Sequence, residues 1–300
     1  MRSSHLNTWS GPGRSVISYI GGKSQLIDHI VPLIEYAAQA YDLNSYYEWC
    51  GGGARMLLNL PITLFETRWY NEADLGLCQL FACLGDRKYI YDLQALLEEW
   101  GIGEEVFRRA KHAREHGHLG MVEGAACAFV VAMQSYAASG SSFDTSLVSD
   151  KKRARSYSRR IDELDLFYGT LADVKVTHGD CFELLGHGGN DKALVYLDPP
   201  YTPTEMASSD HYADRSWTSE DHERLVDLLL QTDMLVALSG YDNLIYQRLE
   251  EAGWRKIFLK EVSVSSSTTS RLRSREHIWM SFDIPSTLEE QVSRVDYSGW

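Results

Sequence analysis

Apolar positions along the chain gather into short unbroken runs, and most runs are trailed by a segment whose hydrophobic residues recur at helical spacing. Residues 46–49 lead into 54–60, 64–70 into 75–84, and 174–178 into 182–185. Further on, 193–197 is a compact hydrophobic strand, 220–230 an amphipathic helix and 234–238 a second buried strand. Such alternation predicts a parallel sheet flanked by helices, because parallel neighbours can be joined only by a crossover that packs on the sheet face. The runs at 254–262 and 277–282 have no long helix between them, which predicts an antiparallel hairpin closing one sheet edge. From 86 to 171 the period is helical without strands, ending in a Ser/Gly-rich stretch at 138–149 and a basic run. The expected architecture is an α/β domain built from residues 1–85 and 172–300, carrying a mainly helical insertion at 86–171.

A chain of 300 residues with 44% hydrophobic content can bury a core of that design. Its longest apolar run, 125–133, is too short to span a bilayer, and residues 1–14 are polar with no signal-peptide core, so a cytoplasmic location is expected. Cys50, Cys78, Cys83, Cys127 and Cys181 are odd in number and show no C-x-x-C spacing, which predicts reduced thiols and neither a disulfide framework nor a zinc site. His112 and His116 share a helix face at i, i+4, as metal ligands can, but no matched cysteine or acid set accompanies them, and no metal site is assigned.

The net charge of −13 excludes a protein that coats nucleic acid indiscriminately, since neutralising phosphates takes Lys and Arg. The charge is uneven, however. Lys151, Lys152, Arg153, Arg155, Arg159 and Arg160 follow one another without an intervening acid, and Arg271, Arg273 and Arg275 form a second cluster. On the pattern alone these are either a docking strip for DNA or solvated loops.

The sharpest chemical signal is Asp198-Pro199-Pro200-Tyr201, directly after the buried strand at 193–197. In open α/β sheets ligands bind just beyond the carboxyl ends of strands. Two prolines fix the backbone there and remove two N–H donors, which leaves the Asp198 carboxylate and the Pro199 carbonyl as acceptors with little freedom to move. Two fixed acceptors suit an amino group with two N–H donors, and Tyr201 offers a face on which a base can stack. A second motif, Glu48-Trp49-Cys50-Gly51-Gly52-Gly53, also follows a strand and is read as entering a helix. It is not a G-x-G-x-x-G fingerprint, because Met56 stands where the third glycine belongs, so a nicotinamide dehydrogenase is disfavoured. The next strand ends at Asn71-Glu72, an acid placed where a ribose diol is commonly gripped, and a third ends at His178-Gly179-Asp180-Cys181.

In order and wording these elements resemble the Dam-type (D12 class) DNA adenine methyltransferases. Tyr19-Ile20-Gly21-Gly22-Lys23 is similar to the family's W-x-G-G-K element, Glu48 to Gly53 to its E-P-F-x-G-x-G loop, Asn71-Glu72 to N-D, Asp180 to G-D, and Asp198 to Tyr201 to D-P-P-Y. Tyr19 replaces Trp, Trp49-Cys50 replaces Pro-Phe, and Glu72 replaces Asp. The insertion lacks the R-x-N and F-N-x-P-x-G pattern of the family's target-recognition region, offering only Gln134, Ser135, Tyr136, Gly140 and Phe143-Asp144. The resemblance implies a Rossmann-like, S-adenosylmethionine-dependent catalytic domain whose helical insertion recognises target DNA. It implies a cofactor held by Tyr19, Lys23, Glu48, Gly51, Gly53, Glu72, Asp180, Cys181 and Asp198, with Glu72 on the ribose hydroxyls, Asp180 near the adenine amino group, and Lys23 with Tyr19 near the methionine end. It implies an adenine flipped out of the duplex onto Tyr201, its N6 held by Asp198 and the Pro199 carbonyl for direct displacement. An RNA or cytosine-N4 methyltransferase, and a non-catalytic DNA-binding module of the same fold, remain the rival readings.

Overall fold

The computed structural model describes residues 15–19, 25–187, 190–201, 217–263 and 273–294. Among them the strands β1 (Ser45–Trp49), β2 (Thr67–Glu72), β3 (Val174–His178), β4 (Ala193–Leu197), β5 (Leu235–Tyr241), β6 (Arg255–Ser263) and β7 (Arg273–Met280) form one sheet in the order β3-β2-β1-β4-β5-β7-β6. The five strands from β3 to β5 run parallel, while β7 is antiparallel to both β5 and β6. This is the α/β, Rossmann-like methyltransferase arrangement expected, with the antiparallel pair β6–β7 closing one edge of the sheet. The order reverses between β1 and β4, so their carboxyl ends splay apart and leave a crevice at the switch point.

Successive residues of a strand face opposite sides, which splits the core in two. Tyr46, Leu194 and Tyr196 enter one cluster, whereas Trp49, Val195, Leu197, Val236 and Leu238 enter the other. The first cluster holds α1 (Ile27–Ala40) and α2 (Leu75–Leu84), and is continuous with α3 (Arg87–Trp100), α4 (Glu104–His116), α5 (Met121–Gln134), α6 (Ser146–Ser149), α7 (Lys151–Asp162) and α8 (Tyr168–Leu171). α5 is buried from Gly124 to Val131 and lies on α2, where a side chain at Gly124 would collide with the Gln79 amide. The second cluster holds α9 (Cys181–Gly186), α10 (Ser219–Leu229) and α11 (Gln247–Glu251). α1 and α12 (Ser286–Ser293), joined where His29 Nδ1 meets the Val292 carbonyl, have no counterpart among the elements read from the pattern. No helix among the described residues is long and apolar enough to cross a membrane.

Two expectations are corrected. The strand read at 64–70 begins at Thr67, because the Glu66 and Thr67 amides both bond the Asn44 carbonyl and Phe65 is spent on stacking with Tyr46. Residues 54–60, read as a helix, are instead a succession of turns. Cys50, Gly52 and Ala54 have φ of 54°, 46° and 51°, and the Leu57 amide donates to the Glu48 carboxylate rather than along a helix.

Candidate active site

The carboxyl ends of β3, β2, β1 and β4 surround a cleft of about 640 Å³. It is lined by Tyr19, by Glu48 and the turn Cys50 to Gly53, by Asn71 and Glu72, by Asp180 and Cys181, and by Asp198 to Tyr201. Motifs spread over 183 positions, from Tyr19 to Tyr201, therefore converge on one opening. Lys23 and Arg271 lie outside the described residues, and Arg273 opens β7.

Glu48 is 2% exposed and braces the glycine turn from beneath. Its Oε2 accepts from the Leu57 amide at 2.5 Å and the Tyr46 hydroxyl at 2.9 Å. Burial pushes this carboxyl up to about 8, outweighing those hydrogen bonds. Glu72 ties β2 to the same turn: Oε2 accepts from the Gly52 amide at 2.8 Å and Oε1 from the Asp74 amide at 3.2 Å, while the Tyr70 hydroxyl donates to the Gly52 carbonyl at 2.8 Å.

The glycines have reasons within the protein. A Cβ on Gly51 would run into the Tyr70 ring, and one on Gly52, at positive φ, would lie 2.6 Å from Tyr19. Trp49, inside the motif, turns away from the cleft into the opposite core. Asp180 caps α9 through the Phe182 amide at 2.9 Å and is otherwise exposed to the cleft. Cys50 and Cys181 meet across the floor with their sulfurs 3.2 Å apart, both as free thiols. Their contact, with burial, holds the Cys50 thiol well above the ordinary range.

At the fourth wall Asp198 is half-buried and Pro199 buried. Tyr201 is fixed twice, its hydroxyl donating to Glu276 Oε1 at 2.7 Å and its ring stacked on Tyr241 at 4.1 Å between centroids. Behind the corner, the His222 Nδ1 meets the Tyr246 hydroxyl at 2.8 Å, and burial lowers this imidazole to about 4, so it stays neutral. Sequence reading passed over Glu276, Tyr241 and His222. No local motif marks them, since Glu276 and Tyr241 act on Tyr201 from β7 and β5, and His222 on the Pro200 backbone from α10.

The basic run is a helix, α7, rather than a loop. At 100° per residue Lys151, Arg155, Arg159 and Lys152 fall on one face, opposite buried Tyr157 and Ile161. Arg153 pairs with Asp144 at 2.7 Å, Arg159 lies 3.7 Å from Glu163, and Arg160 turns inward to the Ser15 carbonyl. A second cavity of about 640 Å³ adjoins the cleft, sharing Tyr19, Ala73 and His178 and roofed by Ala138 to Ser141. His112 and His116 stack on each other at 4.6 Å, and the described residues contain no group of three or more potential ligands arranged around a metal position.

A family model described as D12 class N6 adenine-specific DNA methyltransferase matches residues 19–263. The chain belongs to this family. It is thus an enzyme that methylates adenine in DNA, and membership of such a family implies S-adenosylmethionine as the methyl source in general. No curated protein matches the chain. The methyltransferase match begins at Tyr19 and ends on β6, so all four walls of the cleft lie inside it. The residues present suit that cofactor: acids for hydroxyl and ammonium groups, a tight turn between them, and a cavity within the roughly 300–1,000 Å³ typical of small-molecule sites.

Proposed function

We propose that the enzyme extrudes one adenine from duplex DNA and seats it on Tyr201, with its N6 amino group held by the Asp198 carboxylate and the Pro199 carbonyl. The observation that carries this reading is the rigid corner at 198–201, opening into the same cleft as the glycine turn. Adenine N6 lies within the base stack, so access requires flipping. Tyr201, backed by Tyr241 and pinned by Glu276, is a platform already ordered before the base arrives, which spares the entropy of fixing it. Bound S-adenosylmethionine supplies an electrophilic methyl group on sulfur. Asp198 and the Pro199 carbonyl accept a hydrogen bond from each N6–H and so direct the nitrogen lone pair out of conjugation with the ring, the Asp198 charge stabilises the positive charge that develops on N6, and the methylated nitrogen then sheds one proton to water. Glu72 holds the ribose hydroxyls and Asp180 the cofactor's adenine amino group. The segment 86–171 acts as the target-recognition unit, the exposed face of α7 meeting phosphates.

Transfer of tritiated methyl to duplex DNA, single-stranded DNA and RNA tests the substrate. Label in N6-methyladenine from duplex DNA is expected, and label mainly in RNA, or in N4-methylcytosine, would overturn the reading. Replacing Lys151, Lys152 and Arg155 by alanine is expected to weaken binding alike on all DNA sequences. The slope of log K against log salt should fall by about 3, close to one per lost phosphate contact. An unchanged slope would remove α7 from the interface.

A further inference from the structure

Among the described residues five acidic side chains line the cleft, Glu48, Glu72, Asp180, Asp198 and Asp221, but only one Lys or Arg does, Arg55. It stands two positions after the glycine turn, on the stretch where turns replace the anticipated helix. One Nη donates to the Ile17 carbonyl at 3.1 Å. Nε is buried with no hydrogen-bond partner among the described residues, and it faces the turn closely enough that a Cβ on Gly53 would lie 3.6 Å from it. Arg160 approaches from α7; burial first, and that like charge second, lower Arg55 to about 10, which leaves it cationic at neutral pH. The acid that acts on it, Glu48, is pushed up to about 8 and so is mostly neutral at pH 7. A partly buried cation with an unspent donor and no ionised partner among the described residues is costly unless a ligand anion completes it.

The layout of the cleft says which anion. Glu72 and Asp180, at the ends of β2 and β3, suit the nucleoside. The reacting end must lie beside Asp198 at the end of β4, and the amino-acid end then falls beside Tyr19, Gly53 and Arg55. We propose that the Arg55 guanidinium receives the α-carboxylate of the cofactor's amino-acid end, with Nε–H as a donor. This assignment rests on the reading of the cleft as the cofactor site and adds the residue that recognises the carboxylate.

Calorimetric titration of S-adenosylhomocysteine, and of the analogue lacking only its carboxylate, into the full chain and its variants tests this without any turnover. The unmodified protein is expected to bind the analogue about 10- to 100-fold more weakly, the worth of a charge-assisted hydrogen bond. Arg55→Met should weaken S-adenosylhomocysteine by a similar factor and leave the analogue unchanged, with Arg55→Lys recovering part of the loss. Equal affinity of the unmodified protein for both ligands would overturn the proposal, and that comparison needs no variant to fold. Equal weakening of both ligands by Arg55→Met would also overturn it, reducing Arg55 to a brace for the segment at Ile17. So would loss of DNA affinity with cofactor affinity intact, which would make Arg55 a phosphate contact. Failure of the unmodified protein to bind S-adenosylhomocysteine at all is a different outcome, one that removes the cofactor site itself.

Discussion

Replacing Asp198 with alanine is expected to slow methyl transfer by about 10²–10³-fold, the usual cost of deleting one preorganised group at a site of developing charge. Affinity for S-adenosylhomocysteine should change far less, because the acceptor corner at β4 and the acids at the ends of β2 and β3 are separate walls of the cleft. Asp198→Asn keeps one acceptor oxygen and loses the charge, so its rate should fall between those of the alanine variant and the native enzyme. The corner itself should survive the change. Its backbone is set by Pro199 and Pro200, and Tyr201 is held from outside by Glu276 and Tyr241. A single-turnover assay beside a cofactor titration separates the two effects. Native-like transfer by Asp198→Ala would remove the carboxylate from the mechanism.

Glu48→Ala carries the second large effect, and it acts on the scaffold. It leaves the Leu57 amide and the Tyr46 hydroxyl buried with no acceptor, at about 1–3 kcal/mol each, so the melting temperature should drop by roughly 5–15 °C. The glycine turn loses its brace at the same time, and cofactor affinity should fall with it. Glu48 also confers a pH dependence whose sign follows from its raised proton affinity. The folded protein holds this proton up to about pH 8, whereas the unfolded chain releases it near its ordinary value of 4.5. The contribution of Glu48 to stability is therefore fully present below about pH 4.5 and is lost as pH rises through 8. Glu48→Gln keeps an acceptor and has no proton to lose, so its melting temperature should decline less than the native one between pH 5 and 8.5. Parallel melting profiles for the two proteins across that range would contradict the assignment.

How far these features can be read without coordinates differs from element to element. β3, β4 and α2 start and stop where their patterns place them, because the alternating half-buried edge strand β3, the fully buried strand β4 and a helix capped by Asp74 are each stated in local chemistry. The turn at 54–60 is the opposite case. Its apolar spacing suits a helix, but the buried Glu48 carboxylate takes an amide that a helix would have spent internally, and Tyr70 claims the Gly52 carbonyl. The basic run was legible as charge, whereas its division into an exposed face, the Asp144-paired Arg153 and the inward Arg160 depends on where Tyr157 and Ile161 are buried.

By itself the sequence determined the α/β class, the reaction family and most of the residues that touch the cleft, since each motif is a contiguous string whose chemistry is complete within a few positions. Only the tertiary structure decided what holds those strings in place: Glu276 and Tyr241 on Tyr201, Glu72 on the Gly52 amide, Arg55 against the turn. These partners meet across the sheet or from a distant element, and no spacing along the chain records such a meeting. The physical reason is that local propensity sets which elements form. The burial of polar groups, each of which must find a partner once water is excluded, sets how they are joined.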